Sequence, residues 1–137
     1  ATGGSPEGRG VVSSCSYAAR QFGIHSAMPM KLALRKYPEL IVVRGHYKDY
    51  NKESRKVMDI IRNLTPLVEQ ISIDEAFLDV SDLPEIPQRI ASDLQMKIFS
   101  ELDLPCSIGA ASNKLIAKIA TNIGKKKNRG KFAFRNQ

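Results

Sequence analysis

Two adjacent carboxylates, Asp74 and Glu75, interrupt an otherwise apolar stretch, Ile71-Ser72-Ile73-Asp74-Glu75-Ala76-Phe77-Leu78. Charges placed beside a core are costly unless they find solvent, a cation or a metal. Neighbouring residues of a strand point to opposite faces, but at a hairpin tip both acids can reach one site. Oxygen ligands of this kind suit Mg²⁺, which takes one or two carboxylates together with substrate phosphates. Paired ions of this type align an in-line displacement at phosphorus. The plain alternative is an exposed acidic turn, and the flanking apolar residues weigh against it.

Two further groups could bind anions. Tyr17 and Arg20 lie one helical turn apart, so a phenol and a guanidinium can share a face. The planar fork of Arg matches phosphate oxygens. Ser13, Ser14 and Ser16 would add hydroxyl and backbone donors at the helix start. Near the other end, Lys114 and Lys118 are four apart on one helix face, and the run Lys125-Lys126-Lys127-Asn128-Arg129-Gly130-Lys131 follows. Such a cluster fits phosphate binding, or else a solvated basic tail. His25 and His46 have no Cys, Asp or Glu at ligand spacing and read as surface or packing residues. The sequence holds no Ser-His-Asp set, phosphate-binding Gly loop or CxxC pair.

The elements that must carry these residues are legible in part. The first ten residues read as loop. Val11 and Val12 suggest a short strand running into a helix over Tyr17–Gln21, stopped by Gly23. A second helix is expected over Met30–Lys36, between Pro29 and Pro38, and a strand over Leu40–Val43. Val57, Ile60, Ile61 and Leu64 mark a helix face, and Val68 to Val80 reads as two strands around the acidic pair. Ile90, Leu94, Ile98 and Leu102 form another helical stripe. Cys106–Ala111 is expected as a strand. Leu115, Ile116, Ile119, Ala120 and Ile123 mark a last helix capped by Ser112 or Asn113. From about His46 the order αββαβα suggests an α+β sandwich of split βαβ type lacking its first strand.

The chain has 137 residues, 42% apolar, and a net charge of +7 that is unevenly placed. Residues 1–62 carry +6, residues 63–103 carry −7 and residues 104–137 carry +8. No run approaches the ~20 apolar residues that a bilayer requires, so a membrane partner is not expected. Cys15 and Cys106 form no ligand spacing, and a reducing cytoplasm fits them better than a disulfide framework.

Taken together, three segments resemble the Y-family translesion DNA polymerases, of the bacterial DNA polymerase IV type. They are Ser16–Pro29 (SYAARQFGIHSAMP), Ile71–Val80 (ISIDEAFLDV) and Ser107–Ala120 (SIGAASNKLIAKIA). They stand in the family's order and span nearly the whole chain. Tyr50 through Pro66, with the Thr65-Pro66-Leu67-Val68-Glu69 lead-in, points to the bacterial branch. The resemblance implies a small fingers subdomain over 1–45 and a ferredoxin-like palm over 46–137. It also implies nucleotidyl transfer from a dNTP to a primer 3′-hydroxyl on a DNA primer-template, assisted by two Mg²⁺ ions, in damage bypass and repair.

Residue by residue, the resemblance gives Asp74 the bridging position between the ions. Glu75 would take the ion that activates the hydroxyl. Tyr17 and Arg20 would hold the β- and γ-phosphates, with Ser14 as an extra donor and Lys125 reaching the triphosphate. The Pro that follows this lysine in the family is absent here, so Lys126 is an alternative. Gly10–Val12 and Met28-Pro29 would line the pocket over the templating base.

The departures carry expectations of their own. Family members open with a strand bearing a further metal-binding aspartate and an aromatic gate against ribonucleotides, and this chain starts after both. It ends before the thumb and little finger, so a sliding-clamp contact would belong to the part that is missing. The chain is therefore expected to be inactive by itself, with an unpaired sheet edge. The competing readings are a non-catalytic nucleic-acid-binding module that uses the basic ends, and a palm-like nucleotide cyclase.

Overall fold

A computed structural model describes residues 1–128, with side chains described as far as Lys125. The chain divides into two compact units, Ala1–Tyr47 and the residues from Lys48 onward. Each unit is built around a core of its own.

The first unit is a small three-stranded sheet with two short helices. Strand β1 (Thr2–Gly3) lies between β2 (Val12–Ser14), antiparallel, and β3 (Val43–Arg44), parallel. The first ten residues are therefore not all loop. Composition hides a strand this short, because long-range pairing with Ser14 and Val43 defines it rather than its own residues. The expected strand over Leu40–Val43 is trimmed to Val43–Arg44 for the same reason. Helix α1 (Tyr17–Gln21) is capped by Ser16, whose Oγ accepts from the Ala19 N–H at 3.2 Å. It ends where Gly23 takes φ +71°, a left-handed conformation that favours glycine. Helix α2 (Met30–Lys36) falls where the prolines place it. Val12, Ala19, Ile24, Met28, Met30 and Ala33 form the core, and the rings of Phe22 and Tyr37 stack at 4.3 Å.

The second unit is of the α+β class. It comprises α3 (Tyr47–Leu64), the hairpin β4 (Val68–Gln70) and β5 (Ala76–Leu78), α4 (Pro87–Leu102) and α5 (Lys114–Asn128). Met58, Ile60 and Ile61 of α3 pack with Leu94 and Ile98 of α4, and Val68, Ala76 and Leu78 of the hairpin close on them. The two helical stripes thus meet the apolar face of the hairpin. Thr65, the buried polar residue at the end of α3, is satisfied there. Its hydroxyl donates to the Asp79 carbonyl at 3.0 Å and accepts from the Leu67 N–H at 3.2 Å. Proline at the first turn starts α4, and Asp103 at φ 52° ends it.

One expectation fails in this unit. Cys106–Ala111 joins no strand ladder among the described residues, because β5 pairs only with β4. The segment is held by other means. The Gln95 side chain donates to the Cys106 carbonyl at 2.6 Å, and Gly109 lies directly against α5. A Cβ on Gly109 would stand 2.4 Å from the Ala117 carbonyl oxygen, a separation no side chain tolerates. The expected last helix forms as α5, with its apolar stripe exposed: Leu115 is 69% exposed, and Ile116, Ile119 and Ile123 are also exposed. The helix itself starts as expected, with the Asn113 side chain accepting from the Ile116 N–H at 3.0 Å.

A candidate metal and phosphate site

Asp74 and Glu75 sit in the connection between β4 and β5, where the backbone turns and both side chains reach solvent. The turn is tied down on several sides. The Ile71 and Ser72 N–H groups both donate to the Glu75 carbonyl, at 2.9 and 3.2 Å. Ser72 Oγ donates to Asp74 Oδ1 at 2.7 Å and accepts from the Asp74 N–H at 3.3 Å. The Gln70 side chain donates to the Ser72 carbonyl, and Ser54 of α3 donates to the Ile73 carbonyl. The acidic pair is thus carried on a fixed loop rather than a loose one.

A cleft of about 1260 Å³ opens beside this turn. Asp74 and Glu75 line it on the hairpin side, and Lys114, Lys118 and Lys125 of α5 line it on the other. The Lys118 ammonium contacts Glu75 Oε1, and the Lys114 ammonium contacts Glu69 Oε2. Lys114 and Lys118 were legible only as a basic helix face, and their i, i+4 spacing was the signal. Ser54 and Ser72 gave no signal beyond their position in or near the motif.

A third carboxylate of the motif, Asp79, also lines the cleft, but it is engaged elsewhere. The Ser81 side chain and Ser81 N–H hold its carboxyl below the usual carboxylate range, the N–H at 2.9 Å. Burial pushes the Cys106 thiol up, so it stays protonated at neutral pH and is a poor nucleophile. Among the described residues no group of three His, Cys, Asp or Glu side chains could hold a metal ion. Two exposed carboxylates on a fixed turn still suit a hard cation that completes its shell with water and phosphate oxygens.

The remaining predicted residues lie in the first unit. Ser14 ends β2, Tyr17 opens α1 and Arg20 stands in its last turn, all three exposed. Buried Ala19 anchors the helix, which leaves Tyr17 and Arg20 facing outward. Gly10–Val12 and Met28–Pro29 lie side by side: the Val12 N–H donates to the Met28 carbonyl and the Met30 N–H to the Gly10 carbonyl, both at 2.8 Å. Arg129, Gly130 and Lys131, and the side chain of Lys126, lie outside the described residues.

The chain combines an α+β architecture with an acidic hairpin turn, and known proteins share that combination with it. The profile of the impB/mucB/samB family matches residues 2–122, and the chain belongs to that family. It is 46% identical over 128 residues to DNA polymerase IV of Ralstonia nicotianae, which covers 91% of this chain but 36% of that protein's length. The structure is similar to DinB of Sulfolobus solfataricus, with a TM-score of 0.77 at 28% identity over 83% of this chain and 35% of that one. It is equally similar to Dbh DNA polymerase solved as an insertion ternary complex, with a TM-score of 0.76 at 28% identity over 84% and 35%. The expected kinship with Y-family polymerases therefore holds. No helix among the described residues is long and apolar enough to cross a membrane.

Proposed function

We propose that the chain is the fingers and palm portion, residues 1–45 and 46–137, of a cytoplasmic translesion DNA polymerase. Such an enzyme adds a dNTP to the primer 3′-hydroxyl of a DNA primer-template. The observation that carries this reading is the Asp74–Glu75 turn, fixed by Ser54 and Ser72 at the edge of a cleft to which Lys114, Lys118 and Lys125 also contribute. Asp74 and Glu75 would hold Mg²⁺, two ions in the complete enzyme. A bound ion would neutralise phosphate charge and lower the pKa of the attacking hydroxyl. Ser14, Tyr17, Arg20 and Lys125 hold the triphosphate. Arg20 offers a planar fork, Tyr17 and Ser14 offer hydroxyl donors, and Lys125 offers a point charge. Positioning and charge neutralisation account for most of the catalysis in such a site.

Mn²⁺ binding to the 137-residue chain, followed by electron paramagnetic resonance, tests the reading. Asp74→Ala is expected to abolish binding while the circular dichroism spectrum stays unchanged, because the residue is exposed and its loss opens no cavity. Equal binding by the variant and the parent would move the metal away from this turn.

A further inference from the structure

An ammonium group sits on one of the two carboxylates read as cation ligands. Lys118 Nζ donates to Glu75 Oε1, and the two side chains are 43% and 44% exposed. One turn earlier on α5, Lys114 donates to Glu69 Oε2 of β4 and lies 5.8 Å from the centroid of the Phe77 ring. The two lysines are i, i+4 neighbours, so one helix face reaches two points along the hairpin. Their partners differ in kind. Glu69 lies on β4, whereas Glu75 belongs to the acidic pair. Adjacent carboxylates repel unless a positive charge stands close, and Lys118 supplies one. An ammonium and a divalent ion compete for the same lone pairs and repel each other at such range.

We propose that Lys118 is the resident counter-cation of the acidic turn. It neutralises Glu75 while no divalent ion is held, and it releases the carboxylate when one binds. The inference rests on the reading of Asp74 and Glu75 as cation ligands. The half-exposed pairing suits an exchange, because such ion pairs are weak and are readily given up to a stronger cation.

Two measurements on the 137-residue chain test it. In a Mg²⁺ titration followed by NMR of the lysine Cε–Hε resonances, those of Lys118 shift and saturate while those of Lys114 stay in place. In Mn²⁺ binding followed by electron paramagnetic resonance, Lys118→Met tightens the ion by about 1.4- to fivefold, the range that loss of an exposed ion pair spans. Lys114→Met removes the same charge from the same helix and leaves the affinity within error. Unchanged or weaker Mn²⁺ binding by Lys118→Met, with Asp74→Ala still abolishing it, overturns the counter-cation and leaves the metal site standing. Absence of Mn²⁺ binding in the parent chain overturns both. If Lys118→Met does not fold, the parent titration still decides: a Lys118 resonance indifferent to Mg²⁺ overturns the exchange.

Discussion

Ser72 shows how a hydroxyl next to a charged residue fixes that residue in space. Its Oγ donates to Asp74 Oδ1 and accepts from the Asp74 N–H, so a small hydrogen-bonded ring holds the carboxylate against its own backbone. The Asp74 Oδ1 oxygen is thereby oriented. Groups that orient a metal ligand are worth about 10- to 100-fold in affinity. Ser72→Ala is therefore expected to weaken Mn²⁺ binding by about tenfold while Asp74→Ala removes it. Thermal unfolding of Ser72→Ala should move little, since the residue is exposed. An affinity equal to the parent's would mean that Asp74 is presented by the backbone turn alone. Asp79 makes the complementary point. It shares the motif and the cleft, yet its carboxylate is already bonded to Ser81 and capping the next turn.

At the scale of elements, the helices were far more legible than the strands. Helices α1, α2 and α4 lie where capping residues, prolines and apolar spacing put them, because those signals act within a few residues. A strand requires a partner that its own residues do not name. Thr2–Gly3 has no apolar side chain, yet it sits at the centre of a sheet because Ser14 and Val43 come to it. Cys106–Ala111 has the strand-like composition but no ladder, and its place is set by the close approach to α5 at Gly109. The acidic turn was visible because a charged pair inside an apolar hairpin is rare, whereas Lys118 became a neighbour of Glu75 only through the docking of α5. Gly109 provides the test of that docking. Gly109→Ala drives a methyl against the Ala117 carbonyl and the Thr121 backbone, atoms of a helix that cannot give way locally. Overpacking of this kind costs about 1–3 kcal/mol. The expected result is a lower urea midpoint at unchanged slope. A midpoint at or above the parent's would show that α5 yields freely at this contact.

At the scale of the whole molecule, the proposed chemistry is divided by charge. The −7 block, residues 63–103, contains Asp74 and Glu75. The +6 block holds Ser14, Tyr17 and Arg20, and the +8 block holds Lys125, so the proposed phosphate ligands lie in the two basic blocks. The net value of +7 alone describes only a basic, polyanion-friendly chain. Possessing both kinds of group is not the same as possessing an active enzyme. Two-metal phosphoryl chemistry requires both ions to be held about 3.5–4 Å apart across the reacting oxygens. Two carboxylates are few for that task, and among the described residues no third His, Cys, Asp or Glu completes a metal group with them. The chain also spans 36% of the length of the R. nicotianae DNA polymerase IV it matches. The 137-residue chain by itself should therefore bind divalent ions weakly and extend no primer. The check is a primer-extension assay with a labelled primer-template, all four dNTPs and either Mg²⁺ or Mn²⁺, run beside Asp74→Ala. Parent and variant should both stay at background. Incorporation by the parent that Asp74→Ala removes would mean that the acidic pair suffices for catalysis, and the requirement for a third carboxylate would have to be withdrawn.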